Sequence, residues 1–441
     1  MHRHFSATLL MFIAVGLVFT GAATAGEEDA LREEVQQLRE KIDALSAQQS
    51  TLLEQEIESY LDANSAWQGA QGDSLKGVSI SASFTMVTQG TVGLDQFNRT
   101  ATNGDVDLDF DFKVTDNLDL FIYTTANAED AGFPQLFGAV SHGGSPGVTT
   151  GFGPIAGSTM AGFDDGIGVN GTVPTNPGSL TVREAGIRHA WTIGDNQLHW
   201  EMGELDPRNR FMQNAFAGDE NTQFLHNSFD DSSAILWLTD ASGRTSFGVH
   251  MWISFGANKE HTINWGWFNT PGQWFNDGQF YFQYHWKGEV SGREMNVRLM
   301  GFIDDYFENA AGDGSSGGGA SWDWWVTDNI GLFVLIGVNN DDINAVQGDY
   351  SVGAQFNGLI GSRPDDVIGV AVGFMSINDT VLVGIPEDTE VTVELYYKYM
   401  TEDGKLQITP HLIYVQDPGG GGSGWFDDTL FILGVRIHVP F

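Results

Sequence analysis

Between Asp105 and Val114 the chain alternates, residue by residue, between charged and apolar side chains. Successive side chains of an extended strand point to opposite faces. One face therefore carries Val106, Leu108, Phe110, Phe112 and Val114, and the other Asp105, Asp107, Asp109, Asp111 and Lys113. Such a strand needs an apolar medium on one flank and water on the other. A soluble sandwich and a membrane barrel both provide that, so the strand alone leaves both open.

The connections separate the two. Period-two segments recur about sixteen times from residue 77 onward, an even number of the kind that single-chain outer-membrane barrels use. They include 181–193, 233–239, 245–255, 330–338, 366–376 and 389–399. Short turns such as Thr115-Asp116-Asn117, Gly194-Asp195-Asn196, Ser242-Gly243, Ser291-Gly292 and Glu402-Asp403-Gly404 alternate with longer connections, above all Glu129 to Leu180 and Asp206 to Ser232. Short periplasmic turns facing long outer loops are the barrel arrangement. The last strand puts Phe431, Leu433, Val435, Ile437, Val439 and the terminal Phe441 on one face, a stripe that resembles the signal read by the barrel-assembly machinery. The expected fold is all-β: a transmembrane antiparallel barrel of about sixteen strands over residues 77–441.

A targeting segment and a helix precede it. Arg3, the apolar run Leu9 to Phe19 and the small-x-small site Ala23-Thr24-Ala25 make 1–25 a signal peptide, too short in its apolar core to span a membrane as a helix. Leu31, Val35, Leu38, Ile42, Leu45 and Leu52 form a heptad seam, interrupted at Gln49, which makes 26–61 a coiled-coil helix. Residues 62–76 read as a linker, and the helix is expected on the periplasmic side.

Composition excludes several classes. With 58 acidic and 20 basic residues the net charge is −38, so nucleic acid is not a partner. There is no cysteine, hence no disulfide framework. No G-x-S-x-G, H-E-x-x-H or phosphate-loop motif is present. No cofactor or metal is expected; the acidic pairs at Asp304-Asp305 and Asn339 to Asp342 lack EF-hand spacing and read as solvated loops. Two other readings compete: a secreted all-β protein that binds or hydrolyses glycans, and a structural tether of the outer membrane.

Motifs in the middle and second half carry a resemblance. They are Arg188-His189-Ala190-Trp191, Gly203-Glu204-Leu205-Asp206, Gln223-Phe224-Leu225, Asn227-Ser228-Phe229, Thr327 to Phe333, Arg363 to Ala371, and the C-terminal Glu390, Glu394, Tyr396, Tyr397, Thr409-Pro410, Tyr414-Val415 and Pro418-Gly419-Gly420. This pattern resembles the carbohydrate-selective porin family over roughly Thr181 to Phe441. Glu204 stands where that family more usually has a basic residue. The resemblance implies a passive outer-membrane pore for small hydrophilic solutes, sugars above all, assembled as a homotrimer. It also implies that Glu129 to Leu180 folds inward as the constriction.

Strand parity then points a set of residues at the lumen: Asp105, Asp107, Asp109, Asp111, Asp119, Glu184, Arg188, His199, Glu201, Arg298, Glu390, Glu394, Lys398, His411 and Arg436. The acidic row from Asp105 to Asp111 predicts preference for cations or neutral solutes, and opposite charges on opposing walls would order dipolar ones. Trp322, Trp324 and Trp325 read mostly as an interfacial girdle. Trp265 and Trp267, placed near a long loop, are the better candidates for stacking on a sugar ring.

Overall fold

The computed structural model describes residues 77–92, 100–129, 180–230, 232–235, 237, 246–269, 278–308, 314–340, 346–377, 389–417 and 429–441. The signal peptide, coiled-coil helix and linker expected over 1–76 lie outside the described residues, as do 130–179 of the expected constriction loop and the Ser242-Gly243 turn.

The strands are β1 (Val78–Val92), β2 (Thr100–Thr115), β3 (Leu118–Glu129), β4 (Leu180–Ile193), β5 (Asn196–Leu205), β6 (Ser246–Phe255), β7 (His261–Asn269) and β8 (Gly278–Val290). They continue as β9 (Arg293–Glu308), β10 (Gly314–Trp325), β11 (Ile330–Asn339), β12 (Val346–Asn357), β13 (Val367–Ile377), β14 (Thr389–Met400), β15 (Gln407–Gln416) and β16 (Thr429–Pro440). Each pairs antiparallel with its neighbours in sequence, and β1 pairs with β16, closing a barrel. Closure satisfies every ladder and leaves no edge, as a sheet surrounded by lipid must.

Strand count alone hides two errors of the sequence reading. Residues 233–235 and 237, inside the expected strand 233–239, are not strand. The unexpected β7 supplies the sixteenth strand instead. Its sequence T-I-N-W-G-W does alternate, but its Asn and Gly made it look like loop.

The outer face is apolar and open to the surroundings: Leu299, Ile303, Val352, Leu395, Leu433 and Val435 are all exposed. The rows between them are buried and largely polar, as with Asp107, Glu201, Arg298, Glu394 and Arg436. A soluble sandwich reverses this, so the secreted all-β reading loses its footing. No described helix is long and apolar enough to cross a membrane; the crossing falls to the strands. The short turns lie at one end together with Gly77 and Phe441, and that end is the periplasmic one.

Trp265 and Trp267 alternate with Phe268, which packs inside against Phe211 and Tyr281. Both tryptophans therefore face outward, and the expectation that they stack on a solute is corrected. Trp322 and Trp324 also face out, while Trp325 turns inward onto Phe216 at a ring separation of 4.7 Å. Asp304 is corrected as well: it is a buried residue of β9, not part of a solvated loop.

The main departure from expectation is inside. The connection after β5 does not stay outside: its described residues between 206 and 237 fold into the lumen and pack on the wall. Phe211, Met212, Ile235 and Trp237 join Phe121, Phe268, Tyr281, Met300 and Phe302. Phe216, Ala217, Phe224 and Phe229 join Phe333, Leu335, Val367, Ala371 and Tyr396. Ala234 joins Val346, Met375 and Ile377. The segment thus touches β3 and β7–β9 on one side and β11–β14 on the other. Two glycines make room for it. A Cβ on Gly331 would strike the Phe216 ring, and one on Gly337 would strike Ser232.

Candidate functional site

The lumen segment begins with a one-turn helix, Pro207–Asn209. Asp206 caps it, accepting from the Arg208 backbone N–H at 2.9 Å, and Pro207 fills a first-turn position where no N–H is needed. Asp206 also holds the Arg208 guanidinium, with Nη2 to Oδ2 at 2.5 Å. The next basic residue, Arg210, is inserted between two strands. It donates to Glu184 of β4 at 2.6 and 2.7 Å and to Glu201 of β5 at 2.8 Å. Burial works against its charge, but Glu184 and Glu201 outweigh burial and push its pKa up, so it is protonated at every attainable pH. Glu184 further accepts from Asn209 at 2.8 Å and from the Asp206 backbone N–H at 3.2 Å. Glu201 also meets Arg188 at 3.3 Å and His250 at 2.9 Å. The guanidinium fork suits this two-carboxylate clamp, and Nη1 also donates to the Asp206 carbonyl at 3.0 Å.

Further along, wall side chains take the segment's backbone groups. Gln283 accepts from the Met212 N–H at 2.8 Å, and Asp349 from the Ser233 N–H at 2.8 Å. Glu394 takes two consecutive N–H groups, Leu225 at 2.9 Å and His226 at 3.0 Å. The His226 ring lies 3.7 Å from Glu390, and the His411 ring 3.9 Å from Glu394. Arg436 donates to the Glu220 carbonyl at 2.6 Å. Met212 and Ser232 adopt left-handed backbone, with φ of 57° and 65°. Non-glycine residues hold that conformation only where the surroundings impose it.

The expected lumen residues therefore sort into groups. Glu184, Arg188 and Glu201 meet around Arg210. Glu390, Glu394 and Arg436 meet the stretch from Glu220 to His226. Both glutamates are fully buried, so in this structure they hold the segment and have no surface for a solute. Asp107 and Asp109 share Arg183, each at 3.5 Å, and Asp111 accepts from the Tyr123 hydroxyl at 3.1 Å. Asp105 lies on the same strand, with its side chain outside the described residues. Arg298 stands apart, paired with Asp323 at 2.7 Å. Asp119 and Lys398 are partly buried. Opposite charges thus sit beside one another rather than on opposing walls.

The partners that sequence reasoning missed are Arg183 and the segment's own Asp206, Arg208, Arg210, Glu220 and Asp230. A cavity between the segment and the barrel wall is lined by Arg183, Asp206, Arg208, Gln213, Glu220 and Asp230, among others. Basic and acidic side chains both border it. Two signals pointed there: three arginines within Arg208 to Arg210 and Arg183 in a chain poor in basic residues, and strands that are apolar on both faces.

The model of the family described as carbohydrate-selective porin, OprB family, matches residues 306–441. Over that stretch, close to a third of its length, the chain is similar to carbohydrate-selective porins. Porin B of Pseudomonas aeruginosa is 25% identical over an alignment that covers 32% of this chain and 37% of that protein. The match thus spans little more than a third of the curated relative's length. The high-pH structure of Pseudomonas putida OprB superposes with a TM-score of 0.65 at 16% identity, covering 85% of this chain and 97% of that one. The low-pH structure gives 0.52 at 13% identity, with 85% and 96% covered. These two likenesses concern the fold. The family matched over residues 306–441 is one of porins, and a closed sixteen-strand antiparallel barrel is the fold of an outer-membrane channel.

Proposed function

We propose that the barrel is a passive channel for small neutral polyhydroxylated solutes, sugars above all, with cations as secondary permeants. The observation that carries this reading is the cavity beside the lumen segment, where Arg183 and Arg208 border the same space as Asp206, Glu220 and Asp230. A sugar hydroxyl donates and accepts, so carboxylates and guanidinium groups in one slot serve it better than a field of one sign. Binding there must stay weak, because a tight site would stop transport. The description of the matched family, carbohydrate-selective porin, supports the same class of solute.

In this reading Asp105, Asp107, Asp109 and Asp111 line the open part of the pore. Glu184, Arg188, Glu201, Glu390, Glu394 and Arg436 serve it indirectly, by holding the segment that narrows it. Arg298 and Lys398 line the remaining wall. Residues 1–25 are the signal peptide, 26–61 a periplasmic coiled coil, 62–76 a linker and 77–441 the barrel, with the mature chain acting as a homotrimer. Deleting 27–61 should leave a folded barrel that associates less strongly, read by sedimentation in detergent.

The test of the channel is current block in a planar bilayer. Neutral sugars should lower the open-channel current saturably. Asp230→Asn and Arg183→Gln should each weaken the block, by roughly 1.5–3 kcal/mol per lost charge-assisted bond where it is shielded from bulk water. Absence of block by any sugar would reduce the function to a general porin.

A further inference from the structure

The periplasmic turn between β12 and β13, residues 358–366, is built unlike its neighbours. The other described short turns carry polar tips: Asp116-Asn117, Gly194-Asp195, Asn258-Lys259, Ser291-Gly292, Asp328-Asn329 and Glu402-Asp403. This one presents Leu359 at 59% and Ile360 at 44% exposure. It is also held rigid. The Gly358 N–H donates to Asp366 at 2.9 Å, and the Arg363 N–H to Ile360 at 2.6 Å. Arg363 donates through Nε and Nη2 to the two Asp366 oxygens at 3.0 and 2.8 Å, and also to the Met400 carbonyl. Asp366 in turn accepts from the Tyr397 hydroxyl and from the Met400 N–H.

The clasp sits on the outside of the barrel. Tyr397 and Tyr399 share the parity of Leu395, which is 45% exposed on the outer face. The Arg363 guanidinium lies 4.0 Å from the centre of the Tyr399 ring, so the turn folds over the outer periplasmic rim. That is the level of the aromatic belt, where lipid headgroups meet acyl chains. Asp365, beside the clasp, is exposed. One small surface thus offers an immobilised guanidinium edge, a carboxylate, two tyrosines and two aliphatic side chains.

We propose that this turn is a binding site for a zwitterionic phospholipid of the periplasmic leaflet. The phosphate meets the outer edge of Arg363, the headgroup ammonium meets Asp365, and the first acyl carbons lie on Leu359, Ile360 and Tyr399. Arg363 is already neutralised by Asp366, and Asp365 makes the turn net acidic, so an anionic headgroup fits it less well than one that brings its own ammonium. The site would fix the depth of the barrel in its membrane. The inference rests on the outer-membrane placement and not on what passes through the pore.

The test is native mass spectrometry of the purified full chain, delipidated and then given phosphatidylethanolamine and phosphatidylglycerol in equal amounts. The expected result is preferential retention of phosphatidylethanolamine. Asp365→Asn should abolish the preference. Arg363→Gln, and Leu359→Ser combined with Ile360→Ser, should each lower retention about tenfold, the equivalent of one lost charged hydrogen bond or a comparable apolar contact. Asp365→Asn and the double serine variant leave the Arg363–Asp366 clasp intact, so loss in them is not loss of the turn. Equal retention of both lipids by the native chain and all variants overturns the site. So does a change in self-association with retention unaltered, which would make the turn a contact between copies. Single-channel conductance should be the same throughout, which keeps this test separate from that of the channel.

Discussion

Strands β2 and β11 belong to one barrel and have the same outer face, yet their inner faces have opposite character. β2 points Asp107, Asp109 and Asp111 inward, whereas β11 points Phe333 and Leu335 inward, both buried. β13 repeats the second case with Val367, Ala371, Met375 and Ile377. The difference is what lies against each strand. The segment from 206 to 237 covers β11 and β13, whereas β1 and β2 contribute no residue to its three clusters among the described residues. Period-two alternation is therefore a record of water in the lumen. Where the hydrophobic clusters of the segment fill the lumen, as against β11 and β13, the inward rows become apolar and the alternation disappears, whereas β4, β5 and β14 keep carboxylates for the segment's polar groups.

The sharpest way to break this comparison is to release the cover. Arg210→Met leaves Glu184 and Glu201 buried with their shared cation gone. Removing one partner of a buried ion pair costs about 3–5 kcal/mol. The expected outcome is a barrel that still closes but conducts more, because the segment no longer holds its place beside β4 and β5. Single-channel conductance together with the urea midpoint checks it. An unchanged conductance would mean that the hydrophobic clusters alone hold the segment.

Glu394→Gln attacks the same cover from the other wall. The carboxylate accepts from two backbone N–H groups of the segment, and an amide keeps the shape without the charge. The expected loss is about 1.5–3 kcal/mol, the range for hydrogen bonds to a charged group. In the bilayer this should read as added current noise, since one end of the segment loosens while Arg210 still pins the other.

How far the sequence told this story depends on which face is considered. The outward rows were legible on every strand but β7, because lipid demands apolar residues on each strand and the short turns mark where most strands end. The inward rows were legible on β2, where water imposes charge. They misled at Glu390 and Glu394, whose parity is inward but whose partners lie on the segment more than 160 residues away in sequence, the His226 ring for Glu390 and two backbone N–H groups for Glu394. Pattern cannot reveal such pairing. It did offer a clue that parity reading passed over: I-G-L-F-V-L-I-G-V at Ile330 to Val338 is apolar on both faces, which makes no sense beside a water-filled lumen. The arginines Arg183, Arg208 and Arg210 were the other clue, but an arginine in a polar loop looks the same whether it is solvated or clamped, so nothing in the pattern named Glu184 and Glu201 as the partners of Arg210.

Gly331→Val sharpens the comparison at a single contact. The valine side chain would occupy the space that the Phe216 ring fills against β11. Overpacking of this kind costs about 1–3 kcal/mol. A lower urea midpoint is expected, whereas Gly194→Ala in a periplasmic turn, where a Cβ would meet nothing within 4 Å, tests only the strain of its left-handed backbone. Comparable conductance change in both variants would argue that Phe216 does not position the segment.

The smallest effect on stability is expected on the uncovered side. Asp109 is partly exposed to the lumen, and its contact with Arg183 at 3.5 Å is long for an ion pair. Asp109→Asn should change stability by no more than about 0.5 kcal/mol, as surface substitutions usually do. Its effect should appear in selectivity instead. Removing one carboxylate from the row that begins at Asp107 frees Arg183 from part of its acidic surroundings, so the local potential becomes less negative. A reversal potential measured across a salt gradient should move toward anions, while the urea midpoint stays where it was. A lowered midpoint with unchanged selectivity would place Asp109 with the covered wall, and the division between a wet and a filled side of the barrel would have to be redrawn.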